Sequence, residues 1–372
     1  MAHGKLVLIG GGHAHMVTLS SLGAFIENGY GVTVIQPSDY HYYSGMGPGM
    51  LGGTYAPDHI RFQTRKVVED RGGRFIRDKV RAIDPKRRVV LLEGADEEIP
   101  YDVLSCNAGS YVPGDMAAKD DPAVFTAKPI ERLLDARSRI LEQSRHGPQE
   151  VAVAGGGPSS LEIAGNIWQI ARETGDRQIR IRIFAGTELM GRFPRKIRRL
   201  AHRLFHQRGI DIIEGSYVKE TGQGRVRLED GRVFSADLLF LAVGVKPSRI
   251  FADSDLPVGP DGGLLVNKYL QSTAYPDIFG GGDCIHFQPQ PLDKVGVYAV
   301  RQNPVLRDNL MAALKGDPLT SFDPGGDYLL IYNMGGGEGI FYKWSVIFGG
   351  KPAFWIKDYI DRKFIRTFQA VE

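Results

Sequence analysis

The chain has only two cysteines, Cys106 and Cys284, among its 372 residues. They lie far apart and form neither a C-x-x-C pair nor a metal-ligand spacing, which excludes a disulfide scaffold and makes a reduced, intracellular protein the expectation. No apolar run approaches the roughly 20 residues that cross a bilayer, so any membrane contact is expected to be peripheral. An excess of one charge is also missing: the net charge is +3, and nothing global points to nucleic acid as a partner. The chain opens Met1-Ala2-His3-Gly4-Lys5 and enters a strand at once, with no room for a leader, so the expected location is cytoplasmic or peripheral on the inner face of the cell membrane.

Glycine is abundant instead. There are 47 glycines, about twice the usual share of roughly 7%, so the backbone must turn tightly or approach a ligand closely in many places. The length suits two or three domains, and 42% hydrophobic with 24% charged residues is a globular balance.

The glycines punctuate a repeated grammar. Residues 5–9 form an apolar run that feeds Gly10-Gly11-Gly12; residues 15–25 then read as a helix and 32–35 as a strand. The same order returns with a strand over 151–154, Gly155-Gly156-Gly157-Pro158, a helix near 161–172 and an alternating strand over 179–184. Between these two βαβ units, residues 73–84, 88–92 and 101–106 read as strands. Beyond them a strand at 238–243, the run Ile278-Phe279-Gly280-Gly281-Gly282-Asp283 and a helix near 297–314 follow. The tail from Tyr328, rich in Gly, Phe, Trp and Tyr, reads as a third, C-terminal element.

A glycine turn between strand and helix lets backbone N–H groups and the positive helix end meet a pyrophosphate. Gly10 and Gly12 fill the first two places of G-x-G-x-x-G, and His15 takes the third. The acid that usually holds a ribose at the end of the second strand is replaced by Gln36, whose amide still hydrogen-bonds a hydroxyl. In the second unit Gly155 and Gly157 hold the first two places, Ser160 the third, and Glu162 follows. Its second strand ends Phe184-Ala185-Gly186 with no carboxylate to repel a 2′-phosphate, which leaves NADH and NADPH both open. Gly282 and Asp283 put an acid just after glycines, as suits sugar or ribityl hydroxyls beside a phosphate.

His13 and His15 point to different sides of a helix, and no Cys or carboxylate completes a set with His41. A histidine donating a hydrogen bond in a phosphate-binding turn is therefore preferred to a metal site. Residues 192–208 (RFPRKIRRLAHRLFHQR) are basic, with Ile197, Leu200, Ala201, Leu204 and Phe205 at helical spacing. A solvated helix is the first reading, with a 2′-phosphate or anionic lipid as the alternatives. Ile356, Tyr359, Ile360, Phe364, Thr367 and Phe368 form an apolar stripe suited to a membrane interface, to packing on the first unit, or to a second subunit in a homodimer. Lys128, before Pro129 in the link between the two units, reads as a surface lysine in a hinge; its alternative, a contact with a flavin or an anionic substrate, is what a family resemblance implies.

These segments resemble the pyridine nucleotide-disulfide oxidoreductase superfamily, in the branch with type II NADH dehydrogenases and sulfide:quinone reductases. They are most similar to the flavoprotein module associated with selenide, water dikinase. The likeness is carried by residues 10–15 (GGGHAH), 43–53 (YSGMGPGMLGG), 101–110 (YDVLSCNAGS), 127–130 (AKPI), 296–302 (GVYAVRQ) and 355–368 (WIKDYIDRKFIRTF). The resemblance implies an α/β protein with two Rossmann-like dinucleotide-binding domains and a small C-terminal α+β element. FAD would be held by residues 1–112 and 248–312, NAD(P)H by 113–247, and residues 313–372 would carry the amphipathic helix.

It also implies roles. Gly10, Gly12, His13, Gln36 and Val80 would surround the ADP half of FAD, and Ser110, Gly282 and Asp283 the pyrophosphate and ribityl chain. Gly296 and Val297 would aim a helix N-terminus at the flavin pyrimidine edge. The nicotinamide would approach through Gly155, Gly157, Glu162 and Gly244, with Glu162 and Lys128 as the candidate catalytic pair. The expected activity passes electrons from NAD(P)H through FAD to an acceptor, for which a quinone is one candidate. A sulfur- or selenium-compound redox flavoprotein and a flavin-containing redox sensor are the alternatives. The cysteine pair of the disulfide branch is absent, and Tyr298 and Gln302 stand where type II dehydrogenases carry two glutamines.

Overall fold

A computed structural model describes residues 3–114, 121–175, 179–370 and 372. The chain runs through β1 (Gly4–Ile9), β2 (Tyr30–Gln36), β3 (Arg74–Arg77) and β4 (Val103–Cys106). It continues through β5 (Val124–Thr126), β6 (Gln149–Ala154), β7 (Ile179–Phe184), β8 (Asp211–Ile213) and β9 (Leu238–Leu241), then returns with β10 (Ile278–Gly280). One five-stranded sheet has the order β10-β4-β1-β2-β3 and the other β5-β9-β6-β7-β8. Every pair in both is parallel, and the central strands β1, β6 and β9 are largely apolar and buried because both their faces are covered. The α/β class expected from the sequence is thus the one the structure has.

The two sheets share one plan, with the strand that precedes the glycines at the centre. Their links run side by side: Ser110–Tyr111, leaving the first sheet, pairs antiparallel with Lys246–Pro247, leaving the second.

Four long helices flank the sheets and the tail: α1 (Pro158–Glu173), α2 (Arg195–Gln207), α3 (Gly296–Lys315) and α4 (Lys351–Gln369). The helix expected over residues 15–25 is instead three short turns, His13–His15, Met16–Ser20 and Leu22–Glu27, broken at Ser21. Poor helix formers and the Ser20 hydroxyl, which donates back to the Val17 carbonyl, interrupt it. The strand expected over 73–84 also divides. Asp78 turns the chain by accepting from the Lys79 and Gly94 amides, so Val80–Asp84 joins a separate antiparallel sheet.

The amphipathic reading of α2 holds: Ile197, Ala201 and Phe205 are buried, Arg195, Arg199 and Arg203 face outward, and Arg198 is half-buried against Glu188 and Glu214. In α4 the expected stripe is split. Its inward face carries Ala353, Phe354, Lys357, Asp361 and Ile365, with Phe364 against Tyr43 and Phe368 against Phe62. Ile356, Tyr359 and Ile360 stay exposed. An inward Lys357–Asp361 pair (2.8 Å) hid this face from an apolar count.

The tail forms a three-stranded antiparallel sheet, Leu330–Asn333, Gly339–Lys343 and Val346–Gly350. It docks on α1 where Gly165 lets two backbones meet; a Cβ there would lie 2.2 Å from the Met334 carbonyl oxygen. The third fingerprint place, His15, is fully buried: its Nδ1 meets the Gly10 carbonyl at 2.5 Å and its Nε2 meets Ser105 Oγ at 2.8 Å. A bonded imidazole thus ties the glycine turn to β4 where a third glycine would have allowed bare contact.

Gly165→Ala should therefore lower the melting temperature, with a cost of about 1–3 kcal/mol outweighing the usual gain of ~1 kcal/mol for Ala over Gly in a helix. Burial lowers the His15 pKa from 6.5 to about 4 despite the Gly10 hydrogen bond. The unfolded chain accordingly binds the extra proton between those values, and stability present above pH 6.5 is lost as pH falls through about 4. Thermal melts against pH should show this acid slope, and His15→Gln should flatten it.

Candidate functional site

At the end of β1, Gly10 adopts φ +82°, and a Cβ there would lie 2.4 Å from the Asn107 carbonyl oxygen. Asn107 continues β4, and its side chain fills the space beside Gly12, where a Cβ would come within 2.3 Å of Oδ1. Its Nδ2 donates to the Gly281 carbonyl at 2.8 Å, while its buried Oδ1 has no hydrogen-bond partner among the described residues. Asn107 thus spans the glycines after β1 and those after β10. Sequence reasoning passed over it, although an Asn closing an apolar strand was the available signal.

Gln36, expected to face a ribose, is hydrogen-bonded within its own loop. Its Oε1 accepts from Gly11 N at 2.8 Å and its Nε2 donates to the Ser38 and Tyr40 carbonyls. Both amide hydrogens are engaged, because the loop needs them to hold the glycine turn. Val80 opens its strand half-buried at the edge of the same core.

Asp283 lies in the turn Gly282–Cys284 directly after β10. Its Oδ2 accepts from Ser110 Oγ at 2.9 Å and from Lys128 Nζ, which also donates to Ser110 Oγ at 2.8 Å. Lys128 is therefore the half-buried third member of a closed triad, and the surface-hinge reading is overturned. Burial pushes the Asp283 carboxyl up, but the Lys128 charge and hydrogen bond prevail and hold it below the ordinary value. Gly282 N donates to Gln302 Oε1 at 2.7 Å, fixing the turn against α3. The 20-residue α3 starts at Gly296 and Val297 without a side-chain cap, so its first amides remain free.

The second glycine turn repeats the first contact. Gly155 has φ +139°, and a Cβ there would lie 2.2 Å from the Ala242 carbonyl oxygen. Gly157 then caps the 16-residue α1, which has Pro158 in its first turn and no side-chain cap, beside open space. Gly244 follows β9 at φ +94°, also beside open space. A long uncapped helix behind a glycine turn is an anion site in waiting. At the end of β7, Phe184 is buried and no carboxylate stands there; Glu188, further on, pairs with Arg198.

Glu162, one turn into α1, is held by the tail. Its Oε1 accepts from Asn333 N at 2.8 Å in the C-terminal sheet. Burial raises its carboxyl above the ordinary value, opposed by the nearby Lys357 charge. Lys357 donates to the Gly45 carbonyl (2.7 Å) and to Asp361 (2.8 Å), whose other oxygen accepts from the Tyr43 hydroxyl at 3.1 Å. The structure thus brings Lys128 together with Ser110, Gly282 and Asp283, and sets Glu162 in a different group with α4.

His13, expected beside the ADP half of a flavin, sits among aromatic rings. Its ring packs against His41, Tyr43 and Phe364, with centroids 5.0, 5.2 and 6.0 Å away. Among the described residues no three of His, Cys, Asp and Glu gather as a metal would need. Both cysteines are buried; Cys284 Sγ donates to the Cys106 and Gly281 carbonyls, and burial pushes its thiol up to about 12.

Comparisons with known proteins agree with this geometry. The chain is 23% identical over 385 residues to a type II NADH:quinone oxidoreductase of Staphylococcus saprophyticus, covering 96% of this chain and 94% of that protein. It is 27% identical over 289 residues to an FAD-dependent oxidoreductase of Flammulina velutipes, covering 75% and 85%. Among solved structures it is similar to the NDH2 of Plasmodium falciparum in complex with NADH (TM-score 0.83, 16% identity, 99% and 98% coverage). It is also similar to the sulfide:quinone oxidoreductase of Aquifex aeolicus (TM-score 0.81, 18% identity, 99% and 92% coverage). The family model described as pyridine nucleotide-disulphide oxidoreductase matches residues 4–302. With its two glycine-centred parallel sheets and that match over most of its length, the chain belongs to the pyridine nucleotide-disulphide oxidoreductase family.

Proposed function

We propose that the protein is a flavoenzyme that oxidises NAD(P)H at the second unit and passes the electrons through FAD in the first to a small-molecule acceptor of the quinone class. The observation that carries this reading is the duplicated glycine turn, pressed in each unit against the strand beside it, at Gly10 and Asn107 and at Gly155 and Ala242. FAD, when bound, supplies the ring that accepts hydride; the chain supplies position and charge.

Gly155, Gly157 and the uncapped first turn of α1, where Ser159 carries the first amide after Pro158, would hold the nicotinamide pyrophosphate. Asn107 Oδ1 and the amides after Gly12 suit the flavin side, and the Ser110–Lys128–Asp283 triad suits hydroxyls of its ribityl chain. The bare end of β7 supports use of NADPH as well as NADH. The buried, unionised cysteines weigh against a sulfur relay. Names of relatives that include a quinone favour that acceptor.

Peripheral membrane attachment belongs to the same reading. Trp344 (64% exposed) and Val346 lie on the tail hairpin, and Trp355 (64%) and Tyr359 (68%) on α4. That hairpin packs between α4 and the basic α2. Among the described residues no helix is long and apolar enough to cross a membrane. Exposed aromatics beside a basic helix suit an anionic bilayer surface.

Anaerobic mixing of flavin-loaded protein with NADH or NADPH should bleach the visible flavin band. Gly155→Val should keep the flavin and lose the bleaching, whereas Gly12→Val should lose the flavin itself. Full flavin occupancy with no reduction by either nucleotide would remove the dehydrogenase reading. In a second experiment, the protein should sediment with vesicles containing phosphatidylglycerol, less so in high salt, and the double change Trp355→Ser with Tyr359→Ser should release it.

A further inference from the structure

We propose that His13 and His41 form a two-imidazole relay that carries a solvent proton to the electron acceptor. The inference rests on the reading of that acceptor as a quinone.

The pair is built into the fold from separate segments. His13 follows the first glycine turn, and His41 lies in the short strand His41–Tyr42, which pairs with Arg61–Phe62. His41 Nε2 and His13 Nδ1 are 3.2 Å apart. His13 is nine-tenths buried, and its other nitrogen, Nε2, is buried without a hydrogen-bond partner among the described residues. His41 is half-buried and is the end nearer solvent. A buried ring nitrogen without a partner costs stability unless something binds there. The rings around the pair are aromatic: Tyr43 and Phe364 pack on His13, and Phe62 stacks on His41.

Both rings are held neutral. Burial lowers His13 to about 4, with Asp283 opposing and Lys128 assisting; burial, His13 and Lys128 lower His41. Tyr43, backed by Asp361, also faces His13, and Phe364 brings no charge from α4. A relay through two neutral rings needs no imidazolium. It takes its direction from the tautomer in which His41 Nε2–H donates to His13 Nδ1 and the proton of His13 sits on Nε2.

The balance requires such a proton. NAD(P)H gives up two electrons and one proton as hydride, whereas a quinone needs two electrons and two protons to become a quinol. One proton must therefore come from water: NAD(P)H + H⁺ + quinone → NAD(P)⁺ + quinol. In this step the His13 Nε2–H bond breaks as an O–H bond forms on the quinone, His13 Nδ1 takes the proton of His41 Nε2, and water supplies His41. The rings change tautomer and re-equilibrate with solvent before the next turnover.

The test uses flavin-loaded protein reduced photochemically, then mixed with a water-soluble benzoquinone or with ferricyanide, which takes one electron and no proton. In His41→Phe the quinone step should slow about 100-fold with KM for the quinone unchanged and ferricyanide reduction at the wild-type rate. The wild-type quinone step alone should be slower in D₂O. His41→Gln, which can hydrogen-bond but not relay, should be as slow as His41→Phe. A quinone rate within about twofold of wild type in either variant, or an equal fall with both acceptors, would overturn the relay. Because light supplies the electrons, a failure of NAD(P)H to reduce the flavin would count against the proposed dehydrogenase activity and leave this result readable.

Discussion

Everything in this protein is arranged around one steric constraint: at the end of the central strand of each sheet, the backbone passes so close to the neighbouring strand that a methyl group does not fit. At Gly10 the obstacle is the Asn107 carbonyl, and at Gly155 it is the Ala242 carbonyl. The pairs β1–β4 and β6–β9 must be in register before either approach exists. The turn that comes next then leads straight into a helical segment. Local glycine chemistry and long-range strand pairing are therefore one structural decision made twice.

Charge is brought inside only in company. Asp283 is satisfied by Ser110 and Lys128, and Asp361 by Lys357 and Tyr43. An isolated charge at either depth would be prohibitive, whereas a hydrogen-bonded pair is tolerated. Both groups join segments distant in sequence, residues 110, 128 and 283 in one and 43, 45, 357 and 361 in the other. The first ties the link between the two sheets to the turn after β10. The second fastens α4 to the loop after β2. Histidine is treated in the opposite way: the buried His13 and His15 and the half-buried His41 are held neutral, and their hydrogen bonds make no use of charge.

What the sequence disclosed was periodic or glycine-bounded. The strands Gln149–Ala154 and Ile179–Phe184 and the helices α1 and α3 lie where their apolar spacing puts them, because each is buried in the manner its pattern implies. The glycines and Asp283 draw attention because turn residues beside strands have few other uses, whereas Ser110 is named only through the family resemblance. Less legible were features set by tertiary partners. Gln36 stands where a ribose ligand belongs, yet three loop groups engage its amide. Glu162 lies in the first turns of α1, but its orientation is decided by Asn333, 171 positions later. In α4 the count of apolar residues failed because two inward positions hold charges that neutralise each other.

The edge strand of the first sheet has a consequence for biogenesis. β10 is separated from β4, the strand it pairs with, by the whole second sheet. While the polypeptide emerges from the ribosome, the second sheet has all its strands after residue 241, but the first waits for residues 278–280 and then for α3. The unit encoded first is thus the one completed last. Its open flank at β4 exposes unpaired amides and carbonyls throughout synthesis of the intervening segment, an interval during which nascent-chain chaperones have a strand edge to shield.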